Sequence, residues 1–181
     1  MKRREFIQKT AATTALAGLG LSFSSFKSSD TKHLTILHTN DVHSRLESFP
    51  LDGSKNAGLG GVAARAELIK TIRAESAQVL LLDAGDIFQG TPYFNLYKGE
   101  PEIKAMSMMG YDACTMGNHD FDGGMENFAT QLKHASFPVI ICNYEVTNTP
   151  IEGKTIPYQI FNKGNFFFKM SNLLLFTPKN S

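Results

Sequence analysis

Short apolar runs alternate with amphipathic stretches along the middle of this chain. Residues 34–39, Leu-Thr-Ile-Leu-His-Thr, are rich in β-formers and stop at Asn40-Asp41, which predicts a first strand. A polar stretch through Gly53, Gly58, Gly60 and Gly61 follows. Over 62–76 the apolar positions Val62, Ala66, Ile69 and Ile72 recur at helical spacing, with Arg65, Lys70 and Arg73 set on the outside, so a helix is expected there. Residues 79–82, Val-Leu-Leu-Leu, form a continuous apolar run halted by Asp83-Ala-Gly-Asp86, the pattern of a strand buried on both faces of a parallel sheet. A second helix is predicted over 102–109, closed by Gly110. A third strand over 113–116, a third helix over 125–135 and a fourth strand over 138–142 complete the pattern. Strands that alternate with helices imply right-handed crossovers and an α/β fold, layered, with mostly parallel strands and flanking helices.

The residues that end the strands carry the chemistry. In an open α/β sheet the carboxyl ends of parallel strands form the ligand crevice. Here the first strand is followed by Asp41-Val-His43, the second by Asp86, the third by Asn118-His119 with Asp122 nearby, and the fourth by Asn143. Taken singly, each has a plain structural reading. Asp-x-His suits a surface turn, Asp86 a turn or helix cap, and His119 a satisfied structural histidine. The string Gly117-Asn-His-Asp-Phe-Asp122, behind a strand and after the other two motifs in that order, tips the balance to a metal site fed by separate segments.

Composition narrows the class. With 181 residues, 42% hydrophobic and 19% charged, the chain is long enough for a globular core and unlike a disordered or coiled-coil sequence. Its formal charge of +1 hides an asymmetry. Five basic residues and only Glu5 among the acids precede residue 30, leaving 13 basic against 16 acidic residues in the remainder. A mildly acidic body offers no field for a nucleic-acid polymer. Residues 1–29 read as an export signal: Lys2, Arg3 and Arg4 lead into a small-residue apolar run from Ala11 to about Phe26. Thr13, Thr14, Gly18, Gly20 and Ser22 break that run, so no stable membrane anchor is expected. Arg3-Arg4-x-Phe6-Ile7 resembles the twin-arginine export motif, which makes the twin-arginine machinery an expected partner and the periplasm the expected destination; an ordinary secretory signal is the alternative. Cys114 and Cys142 both fall in predicted strands, where free buried thiols are favoured over a disulfide.

Thr39-Asn-Asp-Val-His43, Gly85-Asp-Ile-Phe-Gln-Gly-Thr91 and Gly117-Asn-His-Asp-Phe-Asp122 resemble the ordered motifs of calcineurin-like metallophosphoesterases. Gly60-Gly-Val-Ala-Ala-Arg65 and Tyr111-Asp-Ala-Cys-Thr-Met-Gly117 are similar to the bacterial 5'-nucleotidase and UDP-sugar hydrolase branch. The resemblance runs from about residue 34 to about 164. It implies that two divalent metal ions (Zn, Mn, Co or Fe) serve as cofactors, with Asp41, His43 and Asp86 on the first and Asp86 and Asn118 on the second. His119 would stand beside the phosphate with Asp122 holding its ring, and the substrate would be a small nucleotide. Such a pair of ions activates a water for attack on phosphorus. A 2',3'-cyclic-nucleotide phosphodiesterase, a UDP-sugar hydrolase and a non-catalytic metal- or phosphate-binding fragment remain as alternatives. The family draws further histidine ligands from later loops, yet after His119 only His134 remains, and its place beside Lys133 predicts a solvent-facing side chain. The expected organisation is therefore a signal at 1–29, a partial metallophosphoesterase domain at 30–164, and an aberrant or truncated tail at 165–181. A frameshift near Phe166–Phe168 would explain that tail, and a natural short variant ending in an apolar strand is the alternative.

Overall fold

A computed structural model of the chain describes residues 33–171. The chain divides after His33 into two units. The strands and helices of the described residues all belong to the second unit, and the expected signal segment lies outside the described residues. Among the described residues no helix is long and apolar enough to cross a membrane.

Three strands, β1 (Thr35–Thr39), β2 (Val79–Asp83) and β3 (Ala113–Cys114), form a parallel sheet in that order. β1 and β2 pair from Thr35↔Val79 to Thr39↔Asp83, which brings Asn40 and Ala84, the residues that follow the two strands, to the same rim. β3 pairs Leu82↔Ala113 and Asp83↔Cys114, and a parallel bridge Cys114↔Val139 extends the sheet by one segment. The third strand is thus shorter than the apolar run predicts. Thr115 still donates to the Asp83 carbonyl at 3.0 Å, but the Gly117 amide turns to a side chain, the Asp120 carboxylate, and leaves the ladder. The fourth strand is reduced to two isolated bridges: the Ile140 amide donates to the Cys114 carbonyl on one side and the Ile141 amide to the Ile156 carbonyl on the other.

β2 is buried along its whole length, and the alternation of its side chains explains why its sequence is apolar without a break. Leu81 joins Ile69, Ile103, Met106, Phe128 and Ile141 in the core under the helices. Leu80 and Leu82 point the other way, onto Ala113, Ile140, Phe161 and Met170. That second face is covered by an antiparallel hairpin of β4 (Gln159–Lys163) and β5 (Phe166–Met170), joined through Gly164 at φ 60°. Phe166–Met170, which the sequence reading set in the tail, is therefore a paired strand that contributes Met170 to the core.

Four helices flank the sheet: α1 (Val62–Glu75), α2 (Pro92–Tyr97), α3 (Glu100–Met109) and α4 (Met125–Gln131). α2 has no counterpart in the sequence reading, since six residues with Phe94 alone buried show no period. Arg73 stays exposed, as expected, and still caps a neighbouring helix. Its guanidinium donates to the Met109 and Gly110 carbonyls at 2.5 and 2.6 Å, where cationic donors satisfy and stabilise a helix C-terminus. α4 ends early and tightens into a 3₁₀ turn, Leu132–His134. That tighter winding swings His134 inward, against expectation. Its Nε2 is buried, 3.9 Å from a Glu100 carboxylate oxygen, and the Ser107 hydroxyl donates to its carbonyl at 2.9 Å. Both cysteines are free; Cys114 is buried in β3, whereas Cys142 is exposed because the chain has already left the sheet.

Candidate metal centre

The loops after β1 and β2 run side by side. The amides of Asp41, His43 and Ser44 donate to the carbonyls of Gly85, Asp86 and Ile87 at 3.0, 3.1 and 2.8 Å. This extends the parallel pairing past the strands, but with an unusual backbone. Asp41, His43, Ser44 and Asp86 all have φ between 46° and 56°, a region that L-residues other than glycine rarely occupy. Each such residue costs ~1–3 kcal/mol and persists only where its surroundings over-determine it, as at functional sites. The consequence is convergence: single ligand atoms of Asp41, His43 and Asp86 all lie within 4.8 Å of one another.

The donors are oriented as well as close. His43 Nδ1 lies 3.4 Å from the Phe88 carbonyl. A proton on Nδ1 facing that carbonyl leaves the Nε2 lone pair on the side of Asp41 Oδ1, 3.9 Å away, the arrangement a metal-ligating histidine uses. Asn40 Nδ2 donates to Asp41 Oδ2 at 2.5 Å. Two carboxylates and an imidazole of this disposition could hold a divalent ion of the Zn, Mn, Fe or Co class.

The third segment presses onto the second through glycine. A Cβ on Gly85 would fall 2.7 Å from the Met116 carbonyl carbon and 2.9 Å from Gly117 Cα, and one on Gly117 would fall 2.6 Å from Asp86 Cγ. Bare backbone at both positions lets the His119 amide reach Asp86 Oδ1 at 2.8 Å. The His119 ring then stands edge-on to His43, with centroids 5.1 Å apart, and its Nδ1 is 2.8 Å from Asp122 Oδ2. That hydrogen bond, helped by the negative charges of Asp122, Asp86 and Asp120, holds the His119 pKa above the ordinary histidine range. Asn118 is exposed at the start of the 3₁₀ turn His119–Phe121, one residue before the amide bound to Asp86. Thus five of the sequence-predicted residues are brought together in space by these contacts, and Asn118 joins them along the backbone.

A model of the family described as calcineurin-like phosphoesterase matches residues 34–177. The chain belongs to that family. The chain is 46% identical over 139 residues to a snake venom 5'-nucleotidase of Gloydius brevicauda, covering 73% of this chain and 24% of that one. Against the 5'-nucleotidase of Bos taurus it is 43% identical over 163 residues, 86% of this chain and 28% of the other. Among solved structures it superposes on a 5'-nucleotidase precursor from Thermus thermophilus with a TM-score of 0.71 and 38% identity, covering 78% of this chain and 28% of that one. The NAD nucleotidase of Haemophilus influenzae gives a TM-score of 0.68 and 32% identity, over 75% and 28% of the two chains. This chain spans about a quarter of the length of these relatives.

Behind the rim the chain buries carboxylates that sequence reasoning passed over. Asp120 is fully buried and accepts from the amides of Asp86, Ile87, Phe88 and Gly117; burial, the larger influence, raises its pKa to about 6 in spite of those bonds. Asp83, the last residue of β2, accepts from the Thr39 hydroxyl at 2.5 Å and the Gly85 amide at 2.9 Å, and burial raises its pKa to about 7. Ser44, with its left-handed backbone, hydrogen-bonds Thr91 and the buried Glu102 of α3. Arg65, expected outside, is half-buried with its Nε enclosed and unpartnered. It lines a cavity of about 370 Å³ with Asp41, His43, Arg45 and Phe49. The sequence signal for Asp120 was its place inside the Gly117–Asp122 string and for Asp83 its place at the end of an apolar run, where an acidic residue reads as an exposed turn residue.

Proposed function

We propose that this chain serves metal-dependent hydrolysis of nucleotide phosphoesters, of the 5'-nucleotidase type. The observation that carries the reading is the convergence of Asp41, His43 and Asp86 within 4.8 Å, with the His119–Asp122 pair alongside. In this reading Asp41, His43 and Asp86 hold one divalent ion, and Asp86 with Asn118 holds a second. When bound, such ions supply Lewis acidity toward phosphoryl oxygens and an attacking water. The residues of the chain do the rest. The Phe88 carbonyl fixes the His43 tautomer, and the Asp86 loop keeps its strained turn through the ladder to Asp41 and His43. Asp122 orients the His119 ring and favours its protonated form, so His119 offers a cationic donor to charge that builds up on a phosphoryl oxygen.

Nucleotides are proposed as substrates because the relatives are named 5'-nucleotidases and an NAD nucleotidase. Among the described residues Asp86 and Asn118 give the second ion two donors, fewer than a tight transition-metal site uses. We therefore expect little phosphate release from the 181-residue chain, a non-catalytic metal-binding form being the second reading, and turnover from a longer form that carries further donors. The assay is phosphate release from AMP with added Mn²⁺ or Co²⁺, run on both forms. In the active form His119→Ala should lower kcat by ~10²–10³-fold with metal affinity retained; an alanine variant with full turnover would remove His119 from its role. Export by the twin-arginine pathway to the periplasm is part of the same proposal. It is supported by the Arg3-Arg4 start and by relatives whose names describe a venom protein and a precursor.

A further inference from the structure

We infer that Asp120 is a positioning residue for the metal centre, a buried carboxylate that sets the spacing between the Asp86 loop and the Asn118–His119 turn. The inference rests on the metal-dependent reading above. Asp120 Oδ1 accepts from the Ile87 and Phe88 amides at 2.9 and 3.0 Å, and Oδ2 accepts from the Asp86 and Gly117 amides at 3.1 and 2.8 Å. Two bonds to each oxygen make full use of what an ionised carboxylate can accept in its plane.

The source of the donors matters. Three successive amides, Asp86 to Phe88, come from the loop after β2 and converge because Asp86 is left-handed at φ 56°. Successive amides in such a turn form a concavity that suits an anion, and here the anion is a side chain of the neighbouring segment. The fourth amide, Gly117, comes from the loop after β3, to which Asp120 itself belongs. A bond runs back the other way, from the His119 amide to Asp86 Oδ1 at 2.8 Å. The two segments are therefore clasped reciprocally, each carboxylate accepting an amide of the other's segment.

The clasp touches the site residues at three points. It holds Asp86 by its own amide and His119 through the 3₁₀ turn in which both Asp120 and His119 lie. It reaches His43 through Phe88, whose amide is bound by Asp120 while its carbonyl faces His43 Nδ1. An asparagine at 120 would keep one acceptor oxygen and turn an NH₂ toward two amides, leaving buried donors unsatisfied and free to shift. A residue of this kind acts on metal affinity, whereas a purely structural one acts on stability alone.

The test uses the full 181-residue chain and isothermal titration with Mn²⁺ and Co²⁺ at neutral pH, well below the thermal midpoint of each variant. Asp120→Asn, with its circular dichroism unchanged, should bind ~10- to 100-fold more weakly than wild type, the usual effect of losing a group that orients ligands. Asp120→Glu keeps the charge but displaces it by a methylene, and should fall between the two. A folded Asp120→Asn that binds with wild-type affinity overturns the inference. If the asparagine variant does not fold, Asp120→Glu decides on the same scale: weaker binding supports the role and wild-type affinity overturns it. A wild-type chain that binds neither ion overturns the metal reading itself, and the inference with it.

Discussion

At the residue scale the site depends on backbone that few side chains tolerate. Gly85 has φ 96°, and a Cβ there would run into the backbone of Met116 and Gly117. Both a conformational and a packing penalty apply, so Gly85→Ala should lower stability by ~2–4 kcal/mol. Gly153 provides the control: its φ is 71° but nothing lies within 4 Å of an added Cβ, and Gly153→Ala should cost only ~1–2 kcal/mol of backbone strain. Urea denaturation of the two variants checks this, and equal losses would show that the Gly85–Gly117 contact is unimportant. The metal-site candidates were legible in the sequence because Asp41, His43, Asp86, His119 and Asp122 end strands or follow them closely. Asp120 and Asp83 were not. Their burial depends on amides and hydroxyls from other segments, and no local pattern announces those.

At the element scale β2 joins the core to the site, and Asp83 at its end makes stability sensitive to pH. Burial raises the Asp83 pKa from 3.8 to about 7, so between those values the folded chain binds more protons than the unfolded one. The contribution of Asp83 to stability must then fall as pH rises from about 4 to about 7, and level off above. The buried Asp120, at about 6, acts in the same direction. Asp83→Asn can still accept from the Gly85 amide and can donate to Thr39, so it should flatten part of this slope. Thermal midpoints at pH 5 and pH 7.5 measure the effect: the gap should narrow in the variant, and an unchanged gap would assign the slope to other groups. The same strand shows why element prediction succeeded where it did. Four consecutive apolar residues bounded by Asp83 permit little but a buried strand, whereas α2 is too short to show a period and the third strand takes its limit from the tertiary bond of the Gly117 amide to Asp120.

For the whole molecule, the sheet is covered by helices on one face and by the β4–β5 hairpin on the other. Coverage thins at β1, where Ile36 is exposed beside buried Leu80. The proposed export belongs to this scale: a twin-arginine route, which carries proteins already folded, would fit a site assembled from three segments. Replacing Arg3 and Arg4 together by lysine should retain the chain in the cytoplasm with its first residues uncleaved. Fractionation and mass measurement would reveal this, and unaltered delivery of the double variant would point to the ordinary secretory route.

The alternation of β1, α1, β2, α3, β3 and α4, the parallel sheet and the rim on which candidate ligands gather were determined by the sequence itself. Apolar periodicity and strand-ending polar residues are local properties, readable one segment at a time. Tertiary structure alone decided which carboxylates are buried, that Arg73 caps the end of a neighbouring helix, that His134 turns inward, and that Phe166–Met170 completes a hairpin over the sheet. Those outcomes depend on what lies opposite each residue across the core, and a linear chain does not encode that contact by contact.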